Sequence, residues 1–200
     1  MEKQVLVDYI PFEVTPQQIN ESLATNGKLI VSGVLQRANA KNQNGRVYPK
    51  DTLVREAKKY AEIQIKERRA LGELDHPDSS VVNLNNVSHN VLDMNWKGDG
   101  LVGTVEVLVT PSGNILKELF KSGIKLGISS RGLGSVEELH EADGENTVQV
   151  QPDFELIAFD FVSNPSTHGA FLSPLKEGVD KNIKPISKVE TIINDILRGE

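Results

Sequence analysis

Short runs of apolar, β-branched residues, separated by Gly, Asn, Asp or Pro, occupy most of the middle of the chain. This alternation predicts β-strands at residues 28–37, 87–95, 101–109, 124–130, 147–151 and 154–163. The first run contains Gly33, which indicates a bulge or bend within that strand. The stretch KGDGL at residues 97–101 predicts a hairpin turn between the second and third runs.

Two segments have the spacing of a helix instead. From Asp51, a candidate N-cap, apolar residues recur every three or four positions and basic residues gather at the far end, which predicts a helix over 51–68. Pro111 begins a second predicted helix, and Gly123 ends it. Two helices among many short strands predict an α+β fold, with helices surrounding a mainly antiparallel sheet or a small β-barrel core.

Both ends of the chain differ from this body. Residues 1–27 alternate weakly and finish in QQINESLATNG, which predicts a loop or a short helix ahead of the ordered part. After residue 175 the chain becomes charged and is interrupted by Pro185, before a short amphipathic end, TIINDILRGE. The sequence therefore divides into an N-terminal segment at 1–27, a domain at 28–175, and a linker with a helical tail at 176–200.

Composition excludes several classes of function. The 200 residues suffice for one domain with a sizeable core, and they include no cysteine, which excludes disulfides, thiolate zinc sites and cysteine nucleophiles. The 22 basic and 28 acidic residues give a net charge of -6, which argues against binding to nucleic acid. No run approaches the roughly 18 apolar residues of a membrane span. We therefore expect a soluble, unexported protein with neither a nucleic-acid nor a membrane partner.

The segment IKLGISSRGLGSVEE places Ser129, Ser130 and Arg131 inside what otherwise reads as a buried strand. A tight turn is one possibility, because turns need glycine and tolerate serine. A nucleophile is the second: glycines with positive φ would let the N–H groups of Ser130, Arg131 and Gly132 converge on an oxyanion, to which Arg131 would add positive charge. In a strand, neighbouring side chains point to opposite faces, so at most one of the two serines can face a given site.

His76 lies in a dense polar motif, LGELDHPDSS. A rigidly held histidine suits a general base, because its unperturbed pKa lies near neutrality. Two alternative roles stay open: the imidazole could cap a turn, or it could bind a metal together with the neighbouring carboxylates. A metal site is disfavoured because no second histidine lies nearby, so we predict no metal and no cofactor.

A third polar residue, Asp160, interrupts the apolar run LIAFDFVSNP. A lone carboxylate among apolar side chains is costly unless it is paired, and orienting a histidine would provide that pairing. Alternatively, the strand lies at the edge of a sheet and Asp160 is solvated.

These motifs together resemble the prohead core proteases of T4-like tailed bacteriophages. The resemblance rests on GELDHP at 72–77 and GISSRGLGS at 127–135, with RVYP at 46–49 ahead of the first predicted helix. It extends through DMNWKGDG and FDFVSNPS and covers roughly residues 28–175. Such proteases belong to a wider group that includes the herpesvirus assemblins, serine proteases with a barrel core surrounded by helices, in which histidine also precedes serine.

The resemblance implies a serine endopeptidase inside the prohead, in the host cytoplasm, that cleaves scaffold and capsid proteins after Glu and self-associates there. By position in the motifs, Ser129 is the expected nucleophile and His76 the general base. Asp160 is the expected third member, because no second histidine falls at the assemblin position. The adjacent arginines of assemblins are also absent here, and Arg131 would take over part of their role. A non-catalytic scaffold or capsid-assembly module that retains the fold is the alternative.

Relatives of the T4 type cut after a glutamate that follows Leu or Ile by two residues, and this chain contains several such triplets. Those in predicted helices or in the histidine motif lack the extended backbone that a protease needs. The triplets ending at Glu21 and Glu177 lie in predicted loops, where cleavage is easiest. The resemblance thus implies self-cleavage after one or both, with the tail from Gly178 binding scaffold or inhibiting the enzyme. Chance occurrence of these common residues is the alternative.

Overall fold

The computed structural model describes residues 2–75, 79–140 and 146–163. The strands in this part of the chain are β1 (Gln4–Phe12), β2 (Leu29–Arg37), β3 (Arg46–Val47), β4 (Leu71–Glu73), β5 (Val87–Lys97), β6 (Gly100–Val107), β7 (Leu126–Gly134), β8 (Val136–His140), β9 (Asn146–Val150) and β10 (Glu155–Val162). The α-helices are α1 (Pro16–Asn26), α2 (Lys50–Tyr60) and α3 (Pro111–Lys121), and a π-helical turn, Ala61–Ile65, extends α2. No helix of the described residues is both long and apolar enough to cross a membrane.

Three open sheets contain these strands. Their orders are β1-β7-β10, β2-β6-β5-β4 and β3-β9-β8, and the pairing is antiparallel throughout except between β3 and β9. The predicted α+β class with a mainly antiparallel core is therefore confirmed, but the predicted barrel is wrong. The chain leaves the first sheet after Gly134 and continues as β8 in the third, so the strands divide among separate sheets instead of closing on one another.

Most elements with strong periodicity lie where the sequence predicts them. The hairpin between β5 and β6, the first residue of α3 at Pro111 and the six predicted strands all appear, with ends shifted by a few residues. The bulge in β2 lies between Val34 and Gln36, just after the glycine that suggested it. The predicted N-cap is wrong, because α2 begins at Lys50 after Pro49, and Asp51 belongs to the first turn.

The N-terminal segment is part of the fold, which corrects the predicted start of the ordered body at residue 28. β1 pairs with β7 along its whole length, from Gln4 opposite Gly134 to Phe12 opposite Leu126. α1 follows, with a capping box in which Thr15 accepts from the backbone N–H of Gln18. The predicted boundary at 175/176 and the tail after it lie outside the described residues.

The main hydrophobic core packs against one face of the first sheet. On that face Phe161 contacts the rings of Phe12 and Phe120 edge to face, with centroids 5.1 and 5.3 Å away, and Ile128 is fully buried. We call this the core face. The opposite face, which carries Ser129, Arg131 and Asp160, is the site face.

Candidate active site

The predicted glycine-rich turn after Arg131 is absent, because β7 continues without a break to Gly134. Neither Gly132 nor Gly134 has a positive φ. Gly132 instead permits close packing, since a Cβ there would overlap the ring of Phe154. The expected convergence of N–H groups through positive φ is therefore wrong. The assignment of Ser130, Arg131 and Gly132 to oxyanion or substrate binding stays a prediction.

Ser129 lies at the centre of the site face. Its register partners are Tyr9 on β1 and Asp160 on β10. Side chains that are directly opposite in an antiparallel pair have Cβ atoms about 5 Å apart, so Asp160 and Ser129 are neighbours. The Ser129 side chain is fully buried, and its Oγ has no hydrogen-bond partner among the described residues.

A buried charge cluster lies beside this serine. The guanidinium of Arg131 approaches Asp160, with Nε 2.8 Å from Oδ2, and its Nη2 donates to Oε1 of Glu73 at 2.9 Å. All three side chains are fully buried. Because two carboxylates face one guanidinium, the cluster carries one negative charge in excess when both are ionised. Oε2 of Glu73 has no hydrogen-bond partner among the described residues.

β10 is the last strand of its sheet, as the alternative interpretation had it, but Asp160 is buried, so the prediction that it is solvated is wrong. Its Oδ1 accepts from the backbone N–H of Glu73 at 2.9 Å and from Nη2 of Arg131 at 3.2 Å. Burial raises the pKa of Asp160, while the positive charge of Arg131 opposes that rise. Arg131 thus supplies the pairing that a histidine was expected to supply, and the role of Asp160 in orienting His76 stays a prediction.

His76 lies outside the described residues, but the chain on both sides of it is hydrogen-bonded, to β10 before it and to Arg131 after it. Before it, the N–H of Asp75 donates to the carbonyl of Phe161 on β10 at 2.7 Å. After it, Ser79 accepts through its carbonyl from Nη1 of Arg131 at 2.8 Å. The motif that contains His76 is therefore anchored on β10 and on the charge cluster.

Ser130 points to the core face and is engaged there. Its Oγ accepts from Nε2 of Gln36 at 2.6 Å, and both side chains are buried. The two adjacent serines thus lie in different environments, one unpaired beside a charge cluster and one hydrogen-bonded in the core.

The RVYP motif holds β1 in place. Asp8, on the core face of β1, accepts from Nη1 of Arg46 at 3.0 Å and from Nδ2 of Asn44 at 2.7 Å. The hydroxyl of Tyr48 donates to its other oxygen. Burial raises the pKa of Tyr48 well above its ordinary value, and the Asp8 carboxylate raises it further. The motif therefore fastens β1 to the segment that leads into α2.

His89 is buried in the core and does not reach Ser129. Its Nε2 lies 2.9 Å from the carbonyl of Phe159, which can only accept, so Nε2 carries the proton and Nδ1 accepts from Ser88 Oγ at 2.9 Å. Burial lowers the pKa of His89 to about 4, so the ring is neutral near pH 7. Gly72 makes room for this contact, because a Cβ there would overlap both the ring and the carbonyl.

The two predicted self-cleavage residues have different surroundings. Glu21 lies in the middle of α1 and is exposed, so of the two predicted possibilities the short helix is confirmed and the loop is wrong. Ile19, two residues before it, is buried in the main core. Glu177 lies outside the described residues.

Sequence reasoning missed three residues around the site. Glu73 and Tyr9 lie beside β7, and Asp8 is the buried residue through which β1 is anchored. A signal for Asp8 was present, since it interrupts the apolar run VLVDYI in the way that Asp160 interrupts its own strand. For Tyr9 nothing in the sequence indicates that its strand adjoins β7.

The chain is similar to known proteases in sequence and in fold. The family model described as "Prohead core protein serine protease" matches residues 3–182, which include β1. The chain is 31% identical over 172 residues to the prohead core protein protease of enterobacteria phage T4, covering 84% of this chain and 78% of that protein. The solved structure of the bacteriophage T4 capsid assembly protease, gp21, has a TM-score of 0.72 and 28% identity, covering 82% of this chain and 100% of that one. The protein therefore belongs to the prohead core protein serine protease family.

Proposed function

We propose that this protease cleaves peptide bonds with Ser129 as nucleophile and His76 as general base. One observation carries the proposal: the described residues that flank His76 are hydrogen-bonded to the Phe161 carbonyl of β10 and to Arg131, and the Arg131 side chain lies on the same face as Ser129. These two contacts are what supports His76 as the base.

The surroundings of the two serines favour Ser129 over Ser130. A nucleophile must give its proton to a base and offer its oxygen lone pair to the substrate, which an unpaired hydroxyl can do. The Ser130 hydroxyl instead accepts from Gln36 on the core side of the sheet. Ser130 therefore has a structural role in this proposal.

The charge cluster suits the proton transfer. When His76 takes the hydroxyl proton of Ser129 it becomes an imidazolium, which a neighbouring carboxylate stabilises. Asp160 is directly opposite Ser129, and the cluster of Glu73, Asp160 and Arg131 has one negative charge in excess when both carboxyl groups are ionised. We assign Asp160 as the third member, fixed in orientation by Arg131, and Glu73 as the source of the uncompensated charge.

The reaction then follows the chemistry of serine acyl transfer. Ser129 Oγ bonds to the scissile carbonyl carbon while its proton passes to His76, and the carbonyl oxygen becomes an oxyanion. The C–N bond breaks as His76 returns the proton to the leaving amine, and water, activated by the same base, hydrolyses the acyl-enzyme. Because the Arg131 guanidinium is already paired with two carboxylates, its contribution is to hold those groups in place.

The substrates in this proposal are scaffold and capsid proteins inside the phage prohead, cut after Glu. The names of the relatives support the setting, since one is a prohead core protein protease and the other a capsid assembly protease. A non-catalytic assembly module with the same fold is the competing function. It predicts that the serine and the histidine can be replaced without consequence.

A fluorophosphonate probe distinguishes these possibilities. The purified full chain is incubated with the probe, digested and mapped by mass spectrometry, while cleavage of a scaffold-derived peptide is followed in parallel. We expect the label on Ser129, and a fall of roughly 10⁴-fold or more in cleavage for Ser129→Ala and His76→Ala. Ser130→Ala is the matched control and should keep most of the activity. Label on Ser130, or full activity in Ser129→Ala, would overturn the assignment.

A further inference from the structure

Tyr9 is built against the nucleophile strand. It is the register partner of Ser129 on β1, so its side chain lies on the site face. The ring covers Gly127, two residues before Ser129 on the same face, and a Cβ at that position would overlap it. The glycine that begins the GISSRG motif is therefore what admits the Tyr9 ring.

The side chains on the two sides of Ser129 differ in charge and in exposure. On the β10 side lie the buried Asp160 and Arg131, and Arg131 also holds the carbonyl of Ser79. On the β1 side lies Tyr9, which is partly exposed, whereas Ser129 itself is fully buried. Tyr9 is therefore the partly exposed side chain that lies directly beside Ser129 on the β1 side of the site face.

We propose that Tyr9 is a substrate-contacting residue of this protease, which packs its ring against an apolar side chain or a peptide plane of the bound polypeptide. The inference rests on the proposed role of Ser129. It makes β1 a part of the catalytic unit, held in place by Asp8 and its partners on the core face. Aromatic rings suit this task because they offer a large apolar surface with little side-chain entropy to lose.

Kinetics on the full chain test the proposal. Tyr9→Ala, Tyr9→Phe and the control Val7→Ala, a partly exposed residue on the same face of β1, are compared with wild type for KM, kcat and the rate of Ser129 labelling by a small fluorophosphonate. We expect Tyr9→Ala to raise KM roughly tenfold, the loss of one aromatic contact, with kcat and labelling changed by less than about twofold. Tyr9→Phe should restore KM, and Val7→Ala should leave it unchanged.

An unchanged KM in Tyr9→Ala, or a parallel loss of labelling that shows a collapsed site, would overturn the inference. Absence of label on Ser129 in the wild type would instead contradict the proposed function, so the two failures are distinguishable. Gly127→Ala gives a second test, because its methyl group must push the ring aside. It should raise KM like Tyr9→Ala, and the double variant should show no further increase. If the increases in KM from the two single variants add up in the double variant, Gly127→Ala does not act by displacing the Tyr9 ring.

Discussion

Arg131 and Asp160 form a fully buried ion pair next to Ser129, with Nε and Oδ2 2.8 Å apart. Such a pair adds little stability over a well-packed apolar pair, but removing one partner is expensive because the other charge stays buried. The same contact therefore supports both the fold and the proposed site.

Loss of Arg131 should destabilise the protein strongly. Arg131→Met keeps the length of the side chain but leaves the carboxylates of Glu73 and Asp160 without their counter-charge. We expect the free energy of unfolding to fall by about 3–5 kcal/mol, measured by urea denaturation with the fluorescence of Trp96, the only tryptophan. The exposed Arg37 provides the control, and Arg37→Met should change little. A fall of less than about 1 kcal/mol for Arg131→Met would show that the cluster is not critical.

Neutral replacements of the two carboxylates should act on the pH dependence of cleavage. A negative charge close to a histidine raises its pKa, so Glu73→Gln and Asp160→Asn should each shift the acidic limb of the kcat/KM profile to lower pH. Asp160→Asn should also lower kcat, though less than Ser129→Ala does, because Asp160 orients and stabilises rather than attacks. If the acidic limb of the profile is the same in wild type and in both variants, the charge cluster does not influence the pKa of the base.

His89 should make the stability depend on pH. Its folded-state pKa is lowered to about 4, whereas the unfolded value is close to 6.5, so between these pH values the unfolded state binds the extra proton. Stability should therefore fall as pH falls from about 6.5 to about 4, with a contribution on the order of 3 kcal/mol from this residue. The slope of unfolding free energy against pH in that window should be smaller in His89→Gln. Equal slopes would mean that the histidine is already protonated in the folded state.

The hydrogen bond from Tyr48 to Asp8, which anchors β1, should make a measurable contribution to the free energy of unfolding. Tyr48→Phe removes a hydrogen bond to the buried Asp8 carboxylate and should cost about 1.5–3 kcal/mol of unfolding free energy. Tyr60→Phe is a matched control, because the hydroxyl of Tyr60 is buried without a hydrogen-bond partner among the described residues. It should leave stability unchanged or improved. Equal losses in the two variants would contradict the anchoring role.

Self-cleavage should spare Glu21. The residue lies in a helix, and Ile19, which a protease of this type would read, is buried in the core. Cleavage there would also cut β1, with Asp8 and Tyr9, from the rest of the chain. We expect intact-mass measurements to give fragments ending at Glu177, abolished in Glu177→Ala and in Ser129→Ala, and none ending at Glu21. A fragment ending at Glu21 in folded, active protein would contradict this.

The local sequence pattern was sufficient to predict those helices and turns that are determined by their own residues. The helix after Pro111 and the β5–β6 hairpin are specified by caps and turn residues, and both were predicted. β1 was missed because its alternation is modest and its stability comes from β7 and from Arg46 and Tyr48, which lie far away in the sequence. The barrel was wrong for a similar reason: sheet closure depends on which strands pair.

The candidate site, too, could be predicted from the sequence only in part. The alternation of side chains along a strand already implied that Ser129 and Ser130 face different ways. Their environments could not be deduced, because Gln36 on one side and Arg131 with Glu73 on the other meet only in the folded chain. The glycines after Arg131 led to a wrong prediction of a turn, because glycine occurs at positions of close packing as well as in turns.

The position of β7 between the first and the last described strands has a consequence for synthesis. During translation the segment with Ser129 is made before β10, so neither Asp160 nor the completed sheet is present until β10 has been made. A ribosome-bound intermediate therefore cannot assemble the proposed machinery, and contacts between such distant segments form late in folding. The strand order itself therefore delays assembly of the proposed site until β10 has been synthesised.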